Sequence, residues 1–220
     1  MSHSDAGDDM SAPRPLRGLY LLTPDEADTG RLLARVAAAL LPGVALLQYR
    51  NKSADPALRR RQALALLPLA AERDVPLLVN DDWRLAAEIG AAGAHLGQDD
   101  GDLRQARDAL GPGAMLGATC HSSLELAARA RDAGADYLAF GAMFRSGSKP
   151  AAALAPIALL RPARALGLPT VAIGGIEPRH APELIAAGAD LLAVLGAVFD
   201  APDPAAQVRH FLSFLQPEPA

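Results

Sequence analysis

Val44-Ala45-Leu46-Leu47-Gln48-Tyr49-Arg50-Asn51-Lys52 begins as an uninterrupted apolar run and turns polar and cationic within one step. An apolar run without alternation marks a strand buried on both faces, the habit of parallel sheets. The same break recurs where Pro76-Leu77-Leu78-Val79 meets Asn80-Asp81-Asp82, and where Ala94-His95-Leu96 meets Gly97-Gln98-Asp99-Asp100. Working outward from these, eight strands are expected, over 18–23, 43–49, 75–80, 93–97, 115–120, 136–141, 169–174 and 191–195. Cations gather after one strand and carboxylates after others. That distribution predicts a ring of strands sharing one polar mouth, able to hold a metal and a phosphate together.

The stretches between the strands read as helices. Ala63, Leu66, Leu67 and Ala70 recur at i, i+3, i+4, i+7 and share one face, with Pro68 expected to kink or shorten that helix. Ser122-Ser123-Leu124-Glu125 has the form of a capping box, Gly134 of a stop, and Pro178 and Gly188 of the start and end of a later helix. The strings Ala92-Gly93-Ala94-His95, Ala133-Gly134-Ala135-Asp136 and Ala187-Gly188-Ala189-Asp190 each close a helix and open a strand. Their unequal intervals do not suit a solenoid but suit βα units with variable loops. Eight such units predict an α/β chain of one domain, a (β/α)₈ TIM barrel with its chemistry on the loops after the strands. A doubly wound sheet is the alternative, and its dinucleotide-binding version is disfavoured because no G-x-G-x-x-G follows the first strand.

The 220 residues fit one sizeable core, and an aromatic content of 4% requires that core to be mostly Ala, Leu and Val. The net charge of −4 gives no global pull toward nucleic acid or an anionic membrane, and no apolar stretch is long enough to span a bilayer. One cysteine, Cys120, precludes an intrachain disulfide and suits a reducing compartment, so the cytoplasm is the expected location. Residues 1–16 lack the basic start and apolar middle of a signal peptide and, like 216–220, read as a disordered tail around a catalytic domain at 17–215. Small molecules are the expected partners; the oligomeric state is open, a homo-oligomer included.

Alternation in an extended strand would turn Gln48, Arg50 and Lys52 to one side, where two cations can grip phosphate oxygens. A solvated strand end would show the same residues. Lys149 adds a third cation at the end of the small, hydroxyl-rich loop Arg145-Ser146-Gly147-Ser148-Lys149, whose backbone suits an anion nest or an ordinary surface loop. Asp81 and Asp100 would lie on neighbouring loops, and a carboxylate pair beside cations suits Mg²⁺ bridging a diphosphate. Asp82 and Asp102 read more simply as helix caps. Gly174-Gly175 and Gly196 leave bare backbone after the seventh and eighth strands, where such barrels usually grip phosphate. His95, inside a strand, reads as a core histidine; Cys120 has no evident partner but His121 and reads as no nucleophile.

Five strings in order, Gln48-Tyr49-Arg50-Asn51-Lys52, Val79-Asn80-Asp81, His95 to Asp100, Ser146-Gly147-Ser148-Lys149 and Ala172-Ile173-Gly174-Gly175-Ile176, resemble the thiamine-phosphate synthase family, over about Gly18 to Phe214. The resemblance implies a (β/α)₈ barrel that is a transferase. Its members couple 4-amino-2-methyl-5-hydroxymethylpyrimidine diphosphate with a (carboxy)hydroxyethylthiazole phosphate, releasing pyrophosphate by a dissociative, Mg²⁺-assisted route. By position it implies that Gln48, Tyr49, Arg50, Asn51, Lys52, Asn80, Thr119 and Lys149 hold the pyrimidine diphosphate and that Asp81 and Asp100 bind Mg²⁺. It assigns the thiazole phosphate to Ser146, Gly147, Ser148, Gly175, Leu195 and Gly196. Arg50, Lys52 and Lys149 are the expected catalytic cations. The chain departs from the family pattern at Ser146 and Ser148 (commonly Thr), Thr119 (Ser), Gly196 (Ser), Arg145 (often Pro) and the 150–156 loop. Two other readings are a related thiazole tautomerase, for which His121 falls near the catalytic histidine, and a non-catalytic phosphate-binding barrel. Lys52 and the Asp81–Asp100 pair favour the synthase.

Overall fold

A computed structural model describes residues 16–145 and 153–215. Eight parallel strands close into a barrel in chain order: β1 (Gly18–Leu22), β2 (Val44–Tyr49), β3 (Leu77–Asn80), β4 (Gly93–Leu96), β5 (Met115–His121), β6 (Tyr137–Phe140), β7 (Thr170–Ile173) and β8 (Leu191–Val194), with β8 pairing back onto β1. The helices α1 (Thr29–Ala39), α2 (Pro56–Ala71), α3 (Trp83–Ile89), α4 (Leu103–Leu110), α5 (Leu124–Asp132), α6 (Leu160–Ala163), α7 (Ala181–Ala187), α8 (Gly196–Phe199) and α9 (Pro204–Leu215) complete the fold. The protein is therefore a (β/α)₈ TIM barrel. The expected tails fall outside the described residues except for Leu16, which packs on the barrel interior.

Strand alternation separates two cores. Tyr20, Leu22, Leu46, Leu78, Tyr137, Ala139, Val171, Leu191 and Ala193 fill the inside of the barrel. Their neighbours in sequence, Leu19, Leu21, Leu47, Leu77, Val79, Leu138 and Leu192 among them, pack outward against the helices. Apart from partly exposed strand ends and the exposed His121 of β5, both faces of the strands are buried, which is why they read as continuous apolar runs.

Helix starts and stops follow local chemistry. Asp82 and Asp102 cap α3 and α4, each accepting backbone N–H bonds from the first turn, as expected. The start of α5 differs from the sequence expectation: Ser123, not Ser122, is the cap, accepting from Leu126 N, and Glu125 pairs with Arg129 one turn on. A capping box needs the acid at the third helical position, and here Leu126 holds it. α2 also runs three residues past Pro68. The carbonyl that Pro68 leaves without its usual donor belongs to Leu64, an exposed residue, so water can satisfy it.

Candidate active site

The polar residues after the strands meet at one end of the barrel. β2 carries Gln48 into the interior while Tyr49 points outward, its hydroxyl donating to Gln62 of α2. Asn51 is buried beside it, giving its amide N–H groups to Glu26 O and Gln62 Oε1 and accepting from Ser53. Tyr49 and Asn51 thus spend their side-chain polar atoms on the scaffold behind the mouth. Arg50 is tied by its backbone to Thr23 and by its guanidinium to Asp25, at 2.9 Å. The same Asp25 carboxylate accepts from Lys52 N, so one acid after β1 arranges both cations after β2.

Lys52 Nζ lies 3.4 Å from Asp81 Oδ2. Asp81 has φ +64, a left-handed conformation that a non-glycine residue seldom adopts, directly at the end of β3. Asp100, from the loop after β4, lies near enough for the two carboxyls to influence each other. Burial first, and the neighbouring Asp81 carboxylate next, raise the Asp100 carboxyl above its usual range, because both make a negative charge there more costly. Asp100 Oδ2 also accepts from Gly97 N at 2.8 Å, and a Cβ at Gly97 would sit 2.6 Å from that oxygen. Gly97 is therefore needed for this approach. Asn80, Asp81, Lys52 and Asn51 line a cavity of about 250 Å³ that Arg59 also borders.

Deeper in the mouth, His95 is buried and bonded through both ring nitrogens, Nδ1 2.9 Å from the Tyr137 hydroxyl and Nε2 2.9 Å from Thr119 Oγ1. Burial lowers its pKa to about 4, so it is a neutral core histidine, as the sequence indicated. Cys120 is buried, and burial pushes its thiol up to about 12, which leaves no thiolate for nucleophilic work. His121 is exposed at the end of β5, with φ +50.

On the far side, Gly175 has φ +64, and a Cβ there would lie 2.5 Å from the Phe144 and Arg145 carbonyl oxygens. Phe144 itself is stacked on His180 and bonded through its N–H to Gly174 O, so the chain entering the next loop is fixed against β7. Leu195 precedes α8, and Gly196 opens it; a Cβ at Gly196 would meet Asp200 Oδ2 at 2.9 Å. Ser146, Gly147, Ser148 and Lys149 lie outside the described residues.

Sequence reasoning missed Asp25, Gln62 and the two interior tyrosines. Asp25 carried a signal: an acid directly after a strand, like Asp81 and Asp100. Tyr20 and Tyr137 carried none beyond aromatic residues in apolar runs.

A closed parallel barrel with its charged side chains gathered on the loops after the strands has the layout of a TIM-barrel enzyme. Residues 19–198 match the family model described as thiamine monophosphate synthase. The thiamine-phosphate synthase of Thiobacillus denitrificans is 57% identical over 187 residues, 84% of this chain and 89% of that one. That of Xanthomonas campestris pv. campestris is 51% identical, covering 89% and 94%. Among solved structures, thiamine phosphate pyrophosphorylase from Pyrococcus furiosus superposes with a TM-score of 0.80 at 30% identity, covering 92% of this chain and 96% of that one. The chain belongs to the thiamine monophosphate synthase family, and it is a transferase of thiamine biosynthesis.

Proposed function

We propose that the barrel couples 4-amino-2-methyl-5-hydroxymethylpyrimidine diphosphate to a hydroxyethylthiazole phosphate, yielding thiamine phosphate and pyrophosphate. The observation that carries this reading is the placing of Lys52 3.4 Å from Asp81, with Asp100 near that acid and Arg50 held close by through Asp25. Two neighbouring carboxylates repel each other, and a hard divalent cation relieves that repulsion. Among the described residues no cluster of three or more His, Cys, Asp or Glu converges, so substrate oxygens and water would complete the coordination. This donor set fits Mg²⁺ on Asp81 and Asp100. When bound, the ion supplies charge neutralisation to a departing diphosphate.

The residues divide the remaining work. Arg50, Lys52 and, from the loop after β6, Lys149 bind the diphosphate and stabilise the charge that grows as its C–O bond breaks. Gln48, Asn80 and Thr119 orient the pyrimidine, with Tyr49 and Asn51 as the wall behind them. Ser146, Gly147, Ser148, Gly175, Leu195 and Gly196 hold the thiazole phosphate, so that the thiazole nitrogen lone pair forms the new C–N bond to the pyrimidine methylene carbon. No side-chain nucleophile is required. Residues 17–215 form the catalytic domain, and the cytoplasm is its place of work; no helix among the described residues is long and apolar enough to cross a membrane.

The test is product formation from both substrates by wild type and His121→Ala. Thiamine phosphate from both proteins at similar rates supports the synthase. Isomerisation of a carboxythiazole phosphate without any pyrimidine, abolished by His121→Ala, would establish the tautomerase instead.

A further inference from the structure

Five side chains from five strands form one continuous hydrogen-bonded row across the barrel floor. Gln48 Nε2 lies 2.5 Å from the Tyr20 hydroxyl, Tyr20 2.8 Å from the Tyr137 hydroxyl, Tyr137 2.9 Å from His95 Nδ1, and His95 Nε2 2.9 Å from Thr119 Oγ1. Gln48, Tyr20, Tyr137 and His95 are buried, Thr119 is partly exposed, and the row's two ends, Gln48 and Thr119, lie near the mouth ends of β2 and β5. The one polar atom of the row left without a partner is Gln48 Oε1, which is buried at the last inward position of β2. Gln48 and Thr119 are also the residues placed on the pyrimidine above, so the inference rests on that reading.

Each buried hydroxyl must place its one proton on an acceptor, and with the Gln48 end set this fixes the direction of every link. The Gln48 amide N–H donates to Tyr20, so Tyr20 must donate to Tyr137 and Tyr137 to His95 Nδ1. His95 then carries its proton on Nε2 and donates to Thr119 Oγ1, and the Thr119 proton is left facing the mouth. The opposite direction would require the Gln48 carbonyl at Tyr20 and would leave both amide hydrogens buried without acceptors. A buried bare carbonyl is the better tolerated defect. An imidazolium at His95 would donate at both ends and leave the buried Tyr20 proton without an acceptor.

We propose that Tyr20, Tyr137 and His95 are positioning residues that hold Gln48 as an acceptor and Thr119 as a donor, and thereby select an aminopyrimidine over its oxo analogue. The amino group of the ring gives a hydrogen to Gln48 Oε1. A ring nitrogen or diphosphate oxygen takes the Thr119 proton. An oxo group at the same carbon would set carbonyl against carbonyl, and the row prevents the amide from turning to accommodate it.

Two measurements test this. The first is the ¹⁵N chemical shifts of His95 in wild type at neutral pH. A protonated Nε2 with a bare Nδ1 is expected; a protonated Nδ1 overturns the proposal whatever the enzyme's substrates. The second compares kcat/KM for the 4-amino pyrimidine diphosphate and its 4-oxo analogue. Wild type is expected to favour the amino compound by on the order of 10⁴-fold, as sites built around a hydrogen bond do. Tyr137→Phe keeps the ring and cuts the row, and is expected to lower that ratio to about 10²-fold with the KM for thiazole phosphate unchanged. Tyr20→Phe, cut one link nearer Gln48, provides the same comparison should Tyr137→Phe fold poorly. An undiminished ratio in the folded variant overturns the proposal. Absence of coupling with either pyrimidine in wild type refutes the synthase reading instead, and the His95 shifts still report the row's direction.

Discussion

At the scale of single residues, the proposed metal site rests on Asp81 and Asp100. Asp81→Ala and Asp100→Ala are each expected to remove Mg²⁺-dependent turnover while the folded signal by circular dichroism persists; full activity in either variant would take that residue out of the metal site. Acid should act in the same way. The Asp100 pKa is raised by burial and by Asp81, so protons compete with Mg²⁺ as pH falls into that raised range, and the Mg²⁺ concentration for half-maximal rate should climb. Lys149 tests the leaving-group side. A cation that meets charge mainly in the transition state is worth about 10²–10³ in rate. Lys149→Ala should lose that factor in single turnover, with a smaller change in diphosphate affinity, and Lys149→Arg should recover little of it. Unchanged single-turnover kinetics would identify Lys149 as an ordinary solvated charge.

His95 makes a residue-scale prediction about stability. The unfolded chain binds its imidazole proton near 6.5, whereas burial lowers the native value to about 4. The unfolded state therefore holds more protons between those values, and the stabilisation is full above 6.5 and lost as pH falls from 6.5 through 4. The whole difference corresponds to roughly 3 kcal/mol. Urea unfolding of wild type and His95→Asn across that window should show a wild-type slope that the variant lacks; equal slopes would contradict the neutral, buried assignment.

At the scale of elements, the sequence was most legible where burial is symmetrical. β2, β3 and β8 are dry on both faces, so their apolar runs survive in the sequence as plain signals. Asp82 and Asp102 were legible as caps because capping is local, needing only an acceptor two or three residues from the N–H it serves. The start of α5 was less so, since Ser122 and Ser123 differ by one position and tertiary fit chose the second. The glycine after β7 has a reason that sequence showed only in outline. Gly175 adopts a positive φ against two carbonyl oxygens, so Gly175→Ala should cost at least about 1 kcal/mol from the backbone alone and should raise the thiazole phosphate KM. A Tm and KM equal to wild type would show that the turn is not constrained as described.

At the scale of the whole molecule, the ring brings together residues that the chain keeps far apart. The Tyr20–Tyr137 bond spans 117 positions, and Arg50 meets Asp25 across 25. Neither pairing has a local periodicity, so neither could be read before the barrel closed. The loop ends after β2, β3 and β4 could be read, because a parallel barrel puts every strand's C-terminal end at one mouth. Asp81 and Asp100 therefore lie on neighbouring loops, as their places in the sequence implied, while the hydrogen-bonded row came into view only in three dimensions. The measurement that tests the central claim most directly is pyrophosphate release in the presence of both substrates, with and without Mg²⁺, for wild type and the two aspartate variants. The account predicts pyrophosphate equimolar with thiamine phosphate in wild type with Mg²⁺, and neither product when Mg²⁺, either substrate or either carboxylate is removed. Release that persists without Mg²⁺, or thiamine phosphate formed undiminished by Asp81→Ala and Asp100→Ala, would contradict it.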